Sequence, residues 1–202
     1  MEDLTDRIAA ALRESASVKE EMAGDQELLA AVARAAGMIV GALRSGGKLV
    51  IFGNGGSAAD AQHIACELVG RYMMERRALP AIALTTNTSC LTAIGNDYSF
   101  DEVFARQVRA LVRAGDVAMG ISTSGRSRNV ILGMRAAREL GAGTVGLTGA
   151  DGGELCSVSD VCVRVPSRLT PRIQEAHIAI GHIISEIVEV ELFGGEAGGL
   201  PG

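Results

Sequence analysis

Aromatic side chains are scarce in this chain of 202 residues, because tryptophan is absent and there are only two tyrosines and four phenylalanines. A hydrophobic core must therefore be built from alanine, valine, isoleucine, leucine and methionine. The chain also lacks an excess of basic residues, since its formal net charge is -5. Proteins that bind nucleic acids present a basic face, so we expect no nucleic-acid partner.

The four cysteines, Cys66, Cys90, Cys156 and Cys162, form no C-x-x-C pair, which argues against a zinc knuckle or a dithiol redox site. The segment Met1–Asp6 is acidic where a secretory leader would carry basic residues. No apolar run approaches the roughly 20 residues of a membrane span. We therefore expect a cytoplasmic protein with four reduced thiols and no membrane partner.

Short apolar runs alternate with helical patterns along most of the chain. Five runs predict strands: Lys48–Phe52, Ala81–Leu84, Val117–Ile121, Thr144–Leu147 and Val161–Val165. Helices are predicted at Ala58–Met73, Asp101–Val112, Ser127–Leu140 and Pro171–Phe193, and an N-terminal helical pair, with Asp25 as the cap of its second helix, fills residues 3–46. This alternation predicts an α/β fold with a parallel sheet covered by helices on both faces. We expect a single domain at 1–193 and a flexible glycine-rich tail at 194–202.

A glycine-rich loop, Gly53-Asn54-Gly55-Gly56-Ser57, follows the first predicted strand and leads into a helix. Ligands of open parallel sheets bind beyond the carboxyl ends of the strands, and glycines at a helix start let backbone N–H groups approach an anion. The loop predicts a cradle for a sugar or a phosphate, although a tight turn that simply needs glycine remains an alternative. Ser57 is expected to cap the helix, with Asp60 as a weaker partner.

A hydroxyl-rich loop, Ser122-Thr123-Ser124-Gly125-Arg126-Ser127, follows the third predicted strand. Hydroxyls and backbone N–H groups together surround the terminal oxygens of a phosphate monoester. Phosphate binding is therefore favoured over simple helix capping by Ser127.

The segment Gly95-Asn96-Asp97-Tyr98 follows the second predicted strand and reads as a loop. Ordinary turn chemistry and hydrogen bonding to sugar hydroxyls explain its residues equally well.

The chain has three histidines, and two of them are spaced for joint chemistry with acidic or amide side chains. His63 and Glu67 lie one helical turn apart on one face, so they can hold a metal ion, share a proton or form an ordinary surface pair. Gln174 and His182 lie eight residues apart on the last helix, ~12 Å along its axis, near the limit of side-chain reach. Glu175, seven residues before His182, lines up better and is the rival partner.

Together, these segments resemble bacterial phosphoheptose isomerases of the sugar isomerase (SIS) superfamily. The matching segments are Gly53 to His63 with Glu67, Gly95-Asn96-Asp97, Ser122 to Gly125 with Ser127, and Arg172-Ile173-Gln174-Glu175 with His182. They occur in the family's order across nearly the whole chain, and only their combination is specific. Pro171 stands where some members carry an acid, so no role of that acid transfers to this chain.

The resemblance implies a five-stranded parallel sheet between helices and a homotetramer whose active sites lie at subunit contacts. It implies that the substrate is contacted by Asn54, Gly55, Gly56, Ser57, Glu67, Asn96, Asp97, Ser122, Thr123, Ser124, Ser127 and Gln174. It also implies one Zn²⁺ per subunit, held by His63, Glu67, Gln174 and His182.

The implied reaction converts D-sedoheptulose 7-phosphate into D-glycero-D-manno-heptose 7-phosphate, the first step of nucleotide-activated heptose biosynthesis for envelope glycans such as lipopolysaccharide. An aldose–ketose isomerisation through an enediol(ate) needs a base and an acid, and Glu67 and His182 are the candidates. One alternative is a non-catalytic SIS regulator that binds a replication initiator, but such proteins lack the pair formed here by His63 and Glu67. Another is a different sugar-phosphate isomerase, or a lyase acting on amino-sugar phosphates.

Overall fold

The architecture is a five-stranded parallel sheet between layers of helices, in a computed structural model that describes residues 3–195. The strands are β1 (Leu49–Gly53), β2 (Ala81–Ala83), β3 (Val117–Ile121), β4 (Gly143–Thr148) and β5 (Val161–Arg164). The helices are α1 (Leu4–Gly24), α2 (Gln26–Arg44), α3 (Gly56–Val69), α4 (Thr88–Asp97), α5 (Val103–Leu111), α6 (Arg128–Glu139), α7 (Gly153–Ser157) and α8 (Thr170–Phe193), with a 3-10 turn at Phe100–Glu102. The fold class and all five strands are confirmed, each strand to within one residue at either end.

The strand order is β2-β1-β3-β4-β5, and every neighbouring pair is parallel. The chain therefore steps outward from β1 to β2, then returns across β1 to β3. The carboxyl ends of β1 and β3 form the topological switch point, where open parallel sheets place their ligands. The glycine-rich loop leaves β1 at this point and the hydroxyl-rich loop leaves β3.

Both faces of the sheet are buried, as the continuous apolar character of its strands predicts. Every residue of β1 and β3 is buried. Alternate residues supply two separate cores: Leu49 and Ile51 pack with α2, α3 and α8, whereas Val50 and Phe52 pack with α5 and α6. The helices that carry the candidate site therefore rest on a rigid sheet.

The N-terminal helical pair is confirmed as α1 and α2. Asp25 caps α2 through its carboxylate, which accepts hydrogen bonds from the N–H groups of Glu27 and Leu28 at 2.9 and 3.0 Å. Met22 is the one buried residue of α1, and an apolar stripe on that helix, Leu4, Ile8 and Leu12, is 69%, 60% and 66% exposed. These residues recur every four positions and so line one face of the helix.

Two helices were absent from the sequence-based prediction. α4 was missed because its residues, TSCLTAIGND, carry no regular apolar stripe and none of them is buried. As a result the expected loop at Gly95–Asp97 is wrong, because these residues form the last turn of α4. α7 is a five-residue helix, too short for a periodicity to register.

Two expectations drawn from composition need correction. Cys156 and Cys162 are joined by a disulfide, because the end of α7 and strand β5 bring their Cα atoms to 5.1 Å; the expectation of four reduced thiols is wrong for this pair. α2 is also long and apolar enough for a membrane span by length and composition alone. Its apolar face packs against α8 and β5, as in the core helix of a folded domain.

The single domain expected at 1–193 stays a prediction, and α8 ends at Phe193. Most of the tail expected at 194–202 lies outside the described residues, which end at 195.

Candidate functional site

The glycine-rich loop turns sharply between β1 and α3. Gly55 adopts a positive φ of 57° and caps the helix, and a Cβ added at Gly56 would lie 2.8 Å from Cδ of Gln174. The prediction that Ser57 caps α3 is wrong, because the turn at Gly55 starts the helix two residues earlier and leaves Ser57 buried within its first turn. The glycines leave the backbone of the loop uncovered by side chains, and the loop leads into a helix N-terminus. Both features suit an anion site.

The side-chain amides of Asn54 and Asn129 form two reciprocal hydrogen bonds across the topological switch point. Asn54 Nδ2 donates to Asn129 Oδ1 at 2.8 Å, and Asn129 Nδ2 donates to Asn54 Oδ1 at 2.9 Å. Asn129 is buried in the first turn of α6. Sequence reasoning missed Asn129, although a polar residue in the first turn after the hydroxyl-rich loop was a usable signal. The pair fixes the glycine-rich loop relative to the hydroxyl-rich loop.

The hydroxyl-rich loop is held by its own side chains. The Oγ atoms of Ser122 and Ser127 lie 2.9 Å apart, and Ser127 occupies the cap position of α6 without a side-chain capping bond. Its hydroxyl therefore turns toward the loop. Thr123 and Ser124 line a cavity of about 160 Å³ whose wall also includes Arg126.

That cavity has the composition of an anion site. Its wall also includes Ser167, Arg168 and Asp151, and Arg168 pairs with Asp151 at 3.1 Å. Hydroxyls with nearby guanidinium groups are suited to a phosphate monoester. The structure thus places Ser122, Thr123, Ser124 and Ser127 together in one loop at the switch point.

Two histidines and a glutamate meet where α3 and α8 run side by side. His63 Nε2 lies 2.9 Å from His182 Nε2 and 3.1 Å from Glu67 Oε1. One ligand atom from each of the three residues lies within 4.8 Å of the others. The helices approach closely because α8 has glycine at 181, where an added Cβ would lie 2.6 Å from Ile64 Cδ1.

This donor set fits a metal ion. The two imidazole nitrogens cannot each point a hydrogen at the other across 2.9 Å, so at least one directs a lone pair inward. Two imidazoles and a carboxylate, with space for further ligands, form a common catalytic zinc environment. Three of the four expected ligands, His63, Glu67 and His182, therefore lie together within one chain.

The fourth expected ligand, Gln174, occupies a different part of the helix pair. Its amide lies against Gly56 at the start of α3, whereas His182 lies beside His63 two helical turns further on. Eight helical residues separate Gln174 from His182, ~12 Å along the axis of α8. Gln174 is thus placed beside the glycine-rich loop.

Glu175, the rival partner of His182, is directed elsewhere. Arg172 Nη1 donates to both carboxylate oxygens of Glu175 at 2.7 Å, and Arg172 Nε reaches Glu14 of α1 at 3.1 Å. A hydrogen bond from Ser15 and the neighbouring Arg172 hold the pKa of Glu175 below its usual value. These contacts tie α1 to α8, and Pro171 suits the first turn of that helix.

Asn96 and Asp97 stand apart from the cluster. Both are exposed, and Asn96 Nδ2 donates to Asp97 Oδ1 at 2.9 Å. Within residues 3–195, no hydrogen bond or ion pair joins either side chain to His63, Glu67 or His182.

Asp60 does not act as a capping partner, contrary to the sequence-based expectation. Its Oδ2 is buried and has no hydrogen-bond partner among the described residues. Burial raises the pKa of Asp60 to about 6, against a smaller opposing effect of His63. The residue is a carboxyl group of near-neutral pKa close to the cluster.

Comparison with known proteins identifies relatives over nearly the whole chain. A family model described as SIS domain matches residues 12–149. Phosphoheptose isomerase from Rhodospirillum rubrum is 58% identical over 79% of this chain and 85% of its own length, and that from Geobacter metallireducens is 56% identical over 94% and 100%. The solved structure of phosphoheptose isomerase from Neisseria gonorrhoeae is 47% identical and superposes with a TM-score of 0.87, over 93% of this chain and 99% of that one.

Proposed function

The chain belongs to the phosphoheptose isomerases, a family of SIS-domain proteins, and we propose that it interconverts D-sedoheptulose 7-phosphate and D-glycero-D-manno-heptose 7-phosphate. The observation that carries this proposal is the contact between Glu67, His63 and His182 beside the switch point. The reaction supplies the first intermediate for nucleotide-activated heptose, as used in lipopolysaccharide.

The phosphate end of the substrate is assigned to the hydroxyl-rich loop. Ser122, Thr123, Ser124 and Ser127 offer hydroxyls, and α6 begins directly behind them. The dipole of that helix start favours an anion. The sugar then extends along the glycine-rich loop, Asn54 to Ser57, toward Gln174 and Glu67.

The reaction needs one group that removes and returns a carbon-bound proton, and a second group that transfers protons at the two oxygens. Glu67 takes the proton from C1 of the ketose, which leaves an enediolate across C1 and C2, and then returns it to C2. His182 removes the hydroxyl proton at C1 and delivers a proton to the oxygen at C2. His63 Nε2 lies 3.1 Å from Glu67 Oε1 and holds the carboxylate beside the imidazole pair.

We propose that the metal is a zinc ion, one per subunit, bound by His63, Glu67 and His182, with Gln174 as a fourth ligand once substrate or a neighbouring subunit repositions it. Because a metal-bound carboxylate or imidazole is a poor proton acceptor, Glu67 and His182 would release the ion when they act as base and acid. Such an ion would polarise the carbonyl and hydroxyl oxygens of the sugar. Chelation followed by metal analysis and a zinc titration measures occupancy, and undiminished turnover of the metal-free protein would exclude zinc from the reaction.

The roles of Glu67 and His182 are tested with Glu67→Gln and His182→Gln. Each variant should lose at least about a hundredfold in kcat, the usual contribution of a positioned acid or base, while its thermal unfolding stays close to wild type. Sedoheptulose 7-phosphate, arabinose 5-phosphate and fructose 6-phosphate are offered in parallel, with products identified by NMR. Near wild-type rates in both variants would refute the assignment.

We also propose a homotetramer whose active sites lie at subunit contacts. The exposed stripe of Leu4, Ile8 and Leu12 supports this, because an amphipathic helix with its apolar face outward needs a partner surface. A neighbouring subunit would also bring its Asn96 and Asp97 to the site, since both side chains stand apart from the cluster within one chain. Light scattering reports the mass, and Ile8→Glu should shift the protein to smaller species.

A cytoplasmic location remains a prediction, and cell fractionation tests it. The Cys156–Cys162 disulfide makes the test informative, since such bonds are rare in reducing compartments.

A further inference from the structure

A buried ion pair links the segment after α3 to the far end of α8. Arg76 Nε lies 2.8 Å from Glu189 Oε1, and both side chains are only 1% exposed. The same Glu189 carboxylate accepts the backbone N–H groups of Tyr72, Met73 and Met74 at 2.8, 2.8 and 2.9 Å. Burial opposes the charge of Glu189, but these three amides and Arg76 outweigh it and hold its pKa below the usual value.

The segment that Glu189 holds includes Tyr72, which contacts the imidazole of His182. The ring of Tyr72 stacks on the ring of His182, with centroids 5.6 Å apart and an interplanar angle of 26°. Glu189 follows His182 by seven residues on α8, so the two side chains share one face of the helix. The carboxylate of Glu189 therefore holds the backbone of Tyr72 from the same face of α8 that carries His182.

Arg76 extends the connection to the catalytic carboxylate. Its Nη2 donates to the carbonyl oxygen of Glu67, and its Nη1 donates to the carbonyl oxygen of Leu68, each at 2.8 Å. Both carbonyl groups belong to the last turn of α3, where the helix itself offers no N–H group to bond them. One guanidinium thus anchors the end of α3 beneath Glu67, while its ion-pair partner anchors the residue that covers His182.

We propose that Tyr72 is a positioning residue for His182, held in place by the Arg76–Glu189 pair, and this inference rests on the proposed isomerase function. A buried ion pair is a poor device for stability, because apolar side chains of similar volume usually do as well. It is well suited to fixing direction, since Glu189 accepts four hydrogen bonds, from the N–H groups of Tyr72, Met73 and Met74 and from Nε of Arg76. The aromatic face restrains the imidazole in the orientation that directs Nε2 toward His63.

The test compares Tyr72→Leu, which removes the aromatic face, with Tyr72→Phe, which keeps it. Tyr72→Leu should lose about tenfold or more in kcat with KM within about twofold, and should bind zinc about tenfold more weakly in competition with a chromophoric chelator. Tyr72→Phe should restore both values. Met73→Ala is the matched control, because that side chain is exposed in the same segment, and it should behave as wild type.

A readout independent of activity and metal is the NMR spectrum of the histidine rings. The chain has three histidines, so His182→Gln assigns the His182 signal directly. Stacking on Tyr72 should shift that signal through the ring current, and the shift should vanish in Tyr72→Leu but persist in Tyr72→Phe. Glu189→Gln should reduce it while the secondary structure is retained.

The outcomes separate the two levels of the proposal. An unchanged His182 signal in Tyr72→Leu, or equal losses in Tyr72→Leu and Tyr72→Phe, overturns the positioning role. Failure of the wild-type protein to turn over sedoheptulose 7-phosphate overturns the proposed function, whereas the ring-current result then still decides the placement of His182.

Discussion

Replacing Gly181 by alanine should damage the candidate site through a single methyl group. The added Cβ would lie 2.6 Å from both Cδ1 and Cγ1 of Ile64, whereas carbon atoms pack at about 3.5 to 4.0 Å. The shortfall is about 1 Å. Either α8 moves away from α3 by that amount, or Ile64 leaves its preferred rotamer.

Two energetic effects oppose each other in this variant. Overpacking a tight contact costs about 1 to 3 kcal/mol, and alanine in place of a helical glycine returns about 1 kcal/mol. The net loss of unfolding free energy is therefore about 0 to 2 kcal/mol, which leaves a folded protein. The activity should suffer far more, because a displacement of about 1 Å between catalytic groups costs roughly a hundredfold in rate.

The assay is kcat with sedoheptulose 7-phosphate, together with unfolding in urea. Gly41→Ala is the matched control, since a Cβ there meets nothing within 4 Å; it should gain stability and keep its activity. Ile64→Ala, added to Gly181→Ala, removes both crowded atoms and leaves Ile64 Cβ, which lies at 3.9 Å. The double variant should recover part of the lost rate. Full activity in Gly181→Ala, or no recovery in the double variant, would refute the reasoning.

Two further predictions concern stability. Burial lowers the pKa of His177 to about 4 from 6.5, so the unfolded state binds a proton that the folded state refuses, and stability falls by about 3 kcal/mol as the pH drops from about 6.5 to about 4. The raised pKa of Asp60, about 6 against 3.8, acts in the opposite direction, so Asp60→Asn should steepen the acid loss in urea titrations. An unchanged slope in that variant would contradict the raised pKa of Asp60. Reduction of the Cys156–Cys162 disulfide, which spans six positions, should lower the unfolding free energy by about 2 kcal/mol. Cys156→Ser should show the same loss without reductant, and free thiols in the intact mass of the untreated protein would refute the bond.

The sheet and its long helices were predictable because their signals are local. β3 coincides with its apolar run, Val117–Ile121, and Asp25 is a cap that the sequence displays next to a regular apolar stripe. The pairing of His63 with Glu67 also follows from helical spacing alone. Such features depend on neighbours within a few residues.

The rest of the site depends on contacts between remote segments. His63 meets His182 only because α3 and α8 run side by side. That packing depends on the close approach of the two helices at Gly181, which residue spacing in the sequence does not predict. Tyr72 contacts His182 only because a carboxylate 117 positions away from it holds its N–H. The prediction that Ser57 would cap a helix failed for a related reason, because the left-handed turn at Gly55 was not visible in the order of the residues.

The pair of amides that bridges Asn54 and Asn129 has a consequence for how the protein responds to acidity. Neither side chain gains or loses a proton in the range where enzymes work, so this clasp keeps its strength when the medium becomes acidic or alkaline. The shape of the substrate cradle is thereby insulated from the titrations that drive the reaction. A rate profile across pH would then record the chemistry of the reacting groups, free of distortions from a cradle that opens or closes.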